Sequence, residues 1–275
     1  MATPRARVHD VLWRFAASPR IAPLLAVYRG APTVKPSARL AFCELMHRHD
    51  LAYYRVRENG FDVAIRHGAA AVWVLAEIFN RHCYEPRTEA AKVLGEPRTI
   101  LDLGANIGLF GLFAAGRWPQ AEVVGFEPDR ANAALHELTI GVNDLSHRWQ
   151  LVEAAASTRD GRTAFVGGHN AVSHMVDETP PGELAVEVAT VDVLPRIAEA
   201  DLVKMDIEGG EWAILADPRF REAPPTAMVL EFHPDRCPAA EPREAAERAF
   251  GEAEMQVEVA EDRGDGHGVV WAWRA

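Results

Sequence analysis

Acidic and small residues stand at the ends of two short apolar segments in the middle of the sequence. In TILDLGANIG, residues 99–108, Asp102 precedes a turn that contains Gly104 and Gly108. In AEVVGFEP, Glu127 ends the second apolar segment and lies nineteen positions after Gly108. Glycine lets a backbone approach a ligand closely, and an acid at the second segment end can accept hydrogen bonds from ribose hydroxyls. These residues are candidates for a nucleoside-binding site.

The spacing of the glycines separates two kinds of nucleoside ligand. A dinucleotide fingerprint has the form GxGxxG, whereas this turn reads DxGxNxG, with Asn106 between the glycines. A pyrophosphate is therefore disfavoured. Two acids suit a nucleoside with an amino group and a positive charge, which is the chemistry of S-adenosylmethionine. The alternatives are a tight turn without a ligand and, for Glu127 alone, a solvated strand end.

A second charged group lies in VKMDIEGGEW, residues 203–212. On a strand, Lys204, Asp206 and Glu208 would project to one side, and Glu211 follows closely. Neighbouring carboxylates raise one another's pKa, whereas an ammonium lowers it, so this group could hold a polar substrate and accept a proton. The alternative is a solvated acidic turn before a helix. The oxygen atoms of Asp206, Glu208 and Glu211 also suit a hard cation, and the sequence leaves that alternative open. The proton chemistry described here requires no metal, and we predict no metal site.

His233 follows the apolar segment MVLEF and precedes Pro234, which would end a strand there. Histidine titrates near neutral pH, so His233 could accept a proton from an acceptor hydroxyl while Asp206 or Glu208 orients it. A histidine that bonds to a loop carbonyl is the alternative. We weigh the two evenly and prefer the carboxylates as catalytic groups.

The elements that must position these residues alternate between strands and helices from Arg98 onward. This pattern predicts an α/β fold with a Rossmann-like, mostly parallel sheet and helices on both faces, in which ligands bind at the carboxyl ends of the strands. The third strand is WQLVEAAAS. The segments RTAFV, SHMV and LAVEVATVDVL resemble paired strands, and MQVEVAE and GVVWAWRA a closing antiparallel pair.

The first residues of the chain have a different pattern. VHDVLWRFAA has helical spacing, Asn59-Gly60 separates two strand-like segments as in a hairpin, and AAAVWVLAEIF indicates an apolar helix. We expect residues 1–95 to form a lid of helices and a hairpin that covers the acceptor site and forms one of its walls. Residues 96–275 would form the cofactor-binding domain.

Composition excludes several other classes. The 275 residues carry a formal net charge of −11, which disfavours nucleic acid as a partner. Three separated cysteines without a CxxC pair argue against zinc and for a reducing compartment. No segment is apolar and long enough to predict membrane insertion. We therefore expect a cytoplasmic protein with a small-molecule partner, and the sequence leaves a homo-oligomer open.

The motifs ILDLGANIGLFG, VVGFEPD, ATVDVL, VKMDIEGGEWAIL and LEFHP, in this order, resemble the FkbM-type methyltransferases. The resemblance covers roughly residues 52–234. It implies a class I S-adenosylmethionine-dependent enzyme that methylates mainly hydroxyl oxygen, sometimes nitrogen, in natural-product or glycan pathways, and that releases S-adenosylhomocysteine.

The resemblance also implies which residues touch the cofactor. The glycine turn and Asp102 would face the methionine part, Glu127 the ribose, and the end of the third strand the adenine. The full set implied at the cofactor is Asp102, Gly104, Ala105, Asn106, Gly108, Glu127, Pro128, Glu153, Ala154 and Asp206. Their charges and their positions at strand ends, rather than the resemblance, indicate the candidate catalytic residues Lys204, Asp206, Glu208, Glu211 and His233.

Two further readings stay open. An NAD(P)-dependent oxidoreductase is disfavoured by the glycine spacing, and a catalytically inactive cofactor-binding protein by the acids at both sites. A comparison of the affinities for S-adenosylmethionine and NADH distinguishes an oxidoreductase from a methyltransferase. Turnover with an acceptor distinguishes an active methyltransferase from an inactive cofactor-binding protein.

Overall fold

The computed structural model describes residues 22–67, 71–167, 174–176 and 185–275. The chain divides into two compact units, Met1–His82 and Cys83–Ala275. The predicted helix VHDVLWRFAA lies outside the described residues. The division falls before the predicted boundary at residue 95, and the helix Thr88–Leu94 packs beside strands of the second unit. The lid role of residues 1–95 stays a prediction.

The first unit contains the predicted hairpin, which the structure confirms. Strands β1 (Val34–Lys35), β2 (Leu51–Val56) and β3 (Asp62–Arg66) form an antiparallel sheet in that order. Buried and exposed residues alternate along β2, as one buried face requires. In the turn, Gly60 has φ 75°, and Asn59 Oδ1 accepts a hydrogen bond from the Phe61 amide at 3.1 Å.

Helices pack beside this sheet. The described helices of the first unit are α1 (Ala22–Gly30), α2 (Ser37–Leu45) and α3 (Ala71–Phe79). The last confirms most of the predicted apolar helix, and its buried side chains include Val72, Leu75 and Ile78. Such a helix needs apolar partners on most of its surface, and α1 supplies one of them.

A seven-stranded sheet forms the centre of the second unit. Its strands are β4 (Thr99–Leu103), β5 (Glu122–Phe126), β6 (Trp149–Val152), β11 (Leu202–Met205), β12 (Ala227–Phe232), β13 (Met255–Asp262) and β14 (Gly268–Arg274). Their order is β13-β14-β12-β11-β4-β5-β6. Strands β12, β11, β4, β5 and β6 pair in parallel, whereas β14 is antiparallel to both β12 and β13. This confirms the predicted mostly parallel sheet with its closing antiparallel pair.

The strand interiors explain why this sheet is buried on both faces. All six residues of β12 and all four of β11 are buried, as is typical of parallel strands covered by helices. The described helices of this unit are α4 (Thr88–Leu94), α5 (Leu109–Arg117), α6 (Arg130–Val142), α7 (Leu194–Glu199), α8 (Glu211–Ala216), α9 (Pro218–Glu222) and α10 (Pro242–Glu252). None of the helices in the described ranges has the length and hydrophobicity to cross a bilayer.

A second sheet of four strands departs in one respect from the prediction. It consists of β7 (Ala155–Ser157), β8 (Gly161–Val166), β9 (His174–Val176) and β10 (Ala185–Asp192), in the order β7-β10-β8-β9. The predicted pairing of the last three is confirmed. The prediction of a single strand over WQLVEAAAS is wrong, because the chain turns after Val152. The Val152 carbonyl accepts a hydrogen bond from the Ala154 amide at 2.9 Å. Both halves are apolar, so the sequence does not mark the break.

Candidate active site

Four parallel strands end at the same edge of the central sheet and bring the predicted site residues together. The register pairs Lys204 with Asp102 and Met205 with Leu103 across β11 and β4, and Leu103 with Phe126 across β4 and β5. The residues that follow these ends are the glycine turn, Glu127, Asp206 and His233. The strand pattern of the sequence therefore placed these groups at one edge correctly.

The glycines of the turn are required by the packing of the chain itself. Gly104 has φ 79° and Gly108 has φ 86°, a conformation that other residues rarely adopt. A Cβ atom on Gly104 would collide with the carbonyl oxygen of Asp206, and one on Gly108 would lie 2.7 Å from the ring of His136. The turn is therefore pressed against Asp206 on one side and against His136 on the other.

Glu127 is buried at the end of β5 and is tied to the glycine turn. Its Oε2 accepts a hydrogen bond from the Asn106 amide at 2.8 Å, and its Oε1 accepts one from the Asp129 amide at 2.8 Å. Burial raises the pKa of Glu127 to about 7, although these two bonds act to lower it. Each oxygen can still accept one further hydrogen bond, so the carboxylate can receive two donors from a ligand.

Lys204 is a buried ammonium on β11 that bonds to the turn after β4. Its Nζ donates to the Gly104 carbonyl at 2.8 Å and lies 3.3 Å from Asp102 Oδ1 and 3.6 Å from Asp206 Oδ2. Burial alone would lower the pKa of Lys204, but the carboxylates of Asp102 and Asp206 raise it above its ordinary value. Burial raises the pKa of Asp102, and Lys204 limits the rise. Lys204 thus remains charged and holds both acids.

The acidic turn after β11 differs from the predicted geometry. The strand ends at Met205, and Glu208 has φ 51°. The prediction that Glu208 projects from the strand with Lys204 and Asp206 is therefore wrong, because Glu208 belongs to the following turn. Burial and then the charge of Asp206 raise the pKa of Glu208 to about 8. Burial opposes the ionisation of Asp206, yet Lys204 and His233 lower its pKa below the ordinary value.

His233 and Glu211 form the other wall of this turn. His233 Nδ1 lies 3.0 Å from Glu211 Oε1, which also accepts from the His233 amide at 3.0 Å. Glu211 is fully buried, and its Oε2 accepts from the Gly209 amide at 2.9 Å. Burial would lower the pKa of His233, but the hydrogen bond with Glu211 and the charge of Asp206 raise it to about 10. A charged imidazole cannot accept a proton, which favours the carboxylates for that role.

Sequence reasoning missed Tyr84 and Arg263, which complete the edge. The Tyr84 hydroxyl donates to Glu231 Oε2 at 2.7 Å and lies 3.3 Å from Asp206 Oδ2. Lys204 Nζ lies 5.7 Å from the centroid of the Tyr84 ring, a cation–π distance. Arg263 Nη1 donates to Glu231 Oε1 at 2.8 Å. Tyr84 stands in a stretch without periodicity, so no local pattern indicated it.

The residues predicted at the adenine lie at the end of β6. Glu153 is half exposed, and its Oε1 accepts from Arg130 Nε at 2.9 Å. Ala154 is buried, and Pro128 directly follows Glu127 at the neighbouring strand end. Their contact with a cofactor, like that of Ala105, stays a prediction.

The fold and this edge define a class of protein. A mostly parallel Rossmann-like sheet, a closing antiparallel pair, a glycine turn after the first strand and an acid after the second are the architecture of a class I methyltransferase. Residues 102–261 match the family model described as "Methyltransferase FkbM domain". The chain belongs to this family and is a methyltransferase.

Individual relatives agree with the family. The chain is 30% identical over 214 residues to the 31-O-demethyl-FK506 methyltransferase FkbM of Streptomyces tacrolimicus, an alignment that covers 64% of this chain and 79% of that protein. It is 33% identical over 109 residues to the methyltransferase sdnD of Sordaria araneosa, which covers 37% of this chain and only 36% of that protein.

Solved structures share less with this chain. The crystal structure of M. jannaschii TYW2 in complex with AdoMet has 13% sequence identity and a TM-score of 0.46, with coverage of 83% of this chain and 88% of that one.

Proposed function

We propose that this enzyme transfers a methyl group from S-adenosylmethionine to a hydroxyl oxygen of a small molecule. The observation that carries the proposal is Glu127, a buried carboxylate beside the glycine turn with room for one further donor on each oxygen. Its raised pKa indicates that the chain alone does not compensate its charge. Two ribose hydroxyls would supply the missing donors.

The cofactor side of the edge has the residue types that S-adenosylmethionine requires. Glu127 would bind the ribose, and Asn106, held by its amide against Glu127, would fix the turn beside it. Glu153 and Ala154 lie at the next strand end, where an adenine attached to that ribose would reach. When bound, the cofactor supplies a methyl group on a cationic sulfur.

The acceptor side is the turn after β11. Asp206 is half buried, held by Lys204 and Tyr84, and Glu208 stands beside it. Glu208 would orient the acceptor hydroxyl, and Asp206, whose lowered pKa keeps it ionised, would receive the proton directly or through water. Correct alignment of the oxygen with the methyl group can lower the barrier by about 7–11 kcal/mol. Lys204 and Tyr84 act by keeping Asp206 in place.

Residues 1–95 would contribute an apolar wall for the acceptor. Exposed large apolar side chains occur in pairs on single faces of the first unit, Leu24 with Tyr28 and Phe42 with Met46. Exposed apolar surface of this kind often marks a binding site.

Calorimetry with the full chain tests the cofactor. S-adenosylmethionine and its demethylated product should bind, and NADH should not. Glu127→Ala should weaken binding by about 1.5–3 kcal/mol for each hydrogen bond that is lost, whereas Glu122→Ala, an exposed acid at the other end of β5, should have no effect. Unchanged affinity of Glu127→Ala contradicts the proposal. Acceptors are then sought by incubation with hydroxylated macrolides and sugars and detection of a methyl mass increase.

A further inference from the structure

We propose that Asp206, Glu208 and His233 bind a divalent metal ion, and that this ion holds an acceptor with two neighbouring oxygen atoms. The sequence alone requires no metal for methyl transfer and leaves a hard cation at the acidic residues as an open alternative. The inference concerns the acceptor side of the proposed function, but binding of the ion itself does not depend on that function.

The three side chains present their ligand atoms to a common point. His233 Nε2 lies 3.4 Å from Glu208 Oε2 and 3.7 Å from Asp206 Oδ1, and the ligand atoms of the trio all lie within 4.8 Å of one another. Ligands bound to one ion at about 2.1 Å are separated by roughly 3–4 Å. The spacing therefore fits a shared ion after small adjustments of the two carboxylates.

His233 supplies the second observation, because its buried Nε2 is directed into the cluster and faces the carboxylates of Asp206 and Glu208 at ion-pair distances. The side chain is 96% buried, and both contacts of Nε2 exceed the usual hydrogen-bond length of about 2.7–3.2 Å. The other ring nitrogen, Nδ1, faces the buried carboxylate of Glu211 at 3.0 Å. A metal-binding histidine typically has this arrangement, with its second nitrogen held by a carboxylate. Glu211 is therefore a positioning residue.

The charges around the cluster also favour a cation. Besides the two ligand carboxylates, Glu211 and Glu231 lie at the same edge. Lys204, 3.6 Å from Asp206 Oδ2, and Arg263, which donates to Glu231, balance only part of this negative charge. A divalent ion would supply positive charge where these acids meet. It would replace the ring proton, since histidine binds a metal as neutral imidazole.

Mixed carboxylate and imidazole ligands suit ions such as Mn²⁺. Three protein ligands leave positions open for water or substrate, so a diol or a hydroxyl beside a carbonyl could bind through both oxygens. In the transfer, the acceptor oxygen bonds to the methyl carbon as the carbon–sulfur bond breaks. The sulfur keeps that electron pair. With the ion bound, Asp206 and Glu208 serve as its ligands, so the hydroxyl proton passes to water rather than to either carboxylate.

Mn²⁺ titration of the full chain, after treatment with EDTA, tests the site by calorimetry and electron paramagnetic resonance. One ion should bind per chain, with a nitrogen hyperfine coupling from His233. Loss of an outer-shell partner already costs about 10–100-fold in metal affinity. Loss of a direct ligand should cost more, so Glu208→Gln and Asp206→Asn should each weaken Mn²⁺ binding by about 100-fold or more. Asp235→Asn, an exposed acid near His233, is the matched control and should bind as the wild type does.

The wild-type spectrum tests the proposal even if a variant fails to fold. Absence of Mn²⁺ binding, absence of nitrogen coupling, or equal affinity in folded Glu208→Gln would overturn it. S-adenosylmethionine affinity is measured on the same samples. If the cofactor binds and Mn²⁺ does not, the metal inference fails and the proposed function stands. If Mn²⁺ binds and the cofactor does not, the proposed function fails and the metal site stands.

Discussion

The affinity for S-adenosylmethionine should depend on pH through Glu127. Ribose hydroxyls donate hydrogen bonds, so they bind best to the ionised carboxylate. In the cofactor-free protein, burial raises the pKa of Glu127 to about 7. The carboxylate is therefore partly protonated at neutral pH and must lose its proton before the cofactor binds in this way.

The size of the effect follows from that pKa. Below pH 7, each unit of pH should weaken binding about tenfold, so the affinity at pH 5 should be about 100-fold lower than at pH 8 and above. The stability of the cofactor-free protein should change in the opposite direction. Because the folded pKa exceeds the ordinary value of 4.5, the folded state binds more protons in this window. Stability falls as pH rises from 4.5 to 7, by an amount on the order of 3 kcal/mol.

Isothermal titration calorimetry between pH 5 and 8.5 measures the first effect. In Glu127→Gln the pH dependence should disappear, and binding at high pH should be about one to two orders of magnitude weaker, because an amide NH₂ would face a backbone donor. Glu122→Gln, at the exposed end of β5, is the control. A wild-type affinity that stays constant from pH 5 to 8 would refute the reasoning, as would a Glu127→Gln variant with the wild-type pH profile.

Three further substitutions test the packing of the edge. Gly104→Ala should destabilise the protein by roughly 2–6 kcal/mol through backbone strain and overlap, whereas Gly141→Ala, which meets no neighbouring atom, should not; equal urea midpoints would contradict this. Lys204→Met should cost about 3–5 kcal/mol because it leaves a buried acid unpaired, while Lys92→Met in an exposed pair should change stability by less than about 0.5 kcal/mol; similar losses in both would refute the role of burial. Tyr84→Phe should cost about 1–3 kcal/mol by removing a donor from a buried carboxylate, and an unchanged thermal denaturation curve would exclude that contribution.

Strand periodicity predicted much of the central sheet and its ligand edge. Acids and glycines marked where β4, β5 and β11 end, and Pro234 marked the end of β12. Parallel pairing then brought Asp102, Glu127, Asp206 and His233 to one side. This works because parallel strands are buried on both faces and leave a continuous apolar signal.

Local patterns could not predict contacts that depend on distant parts of the chain. Tyr84 reaches Asp206 across 122 positions, and no periodic signal connects them. The length of β11 was overestimated because Asp206 and Glu208 continue an alternating pattern after the strand has ended. The charge of His233 depends on Glu211, whose complete burial follows from tertiary packing rather than from its place in a glycine-rich acidic turn.

The contact between Gly104 and the Asp206 carbonyl has a consequence for how acceptor preference can be altered. The glycine turn and the acidic turn abut so closely that neither backbone has space to shift alone, and Lys204 bonds to the Gly104 carbonyl beside them. A library that diversifies the acidic turn would therefore disturb the glycine turn as well, and under the proposed function many of its members would lose both the cofactor and the acceptor. Selections for new acceptors should keep Gly104, Lys204 and Asp206 fixed and place diversity elsewhere along the sheet edge.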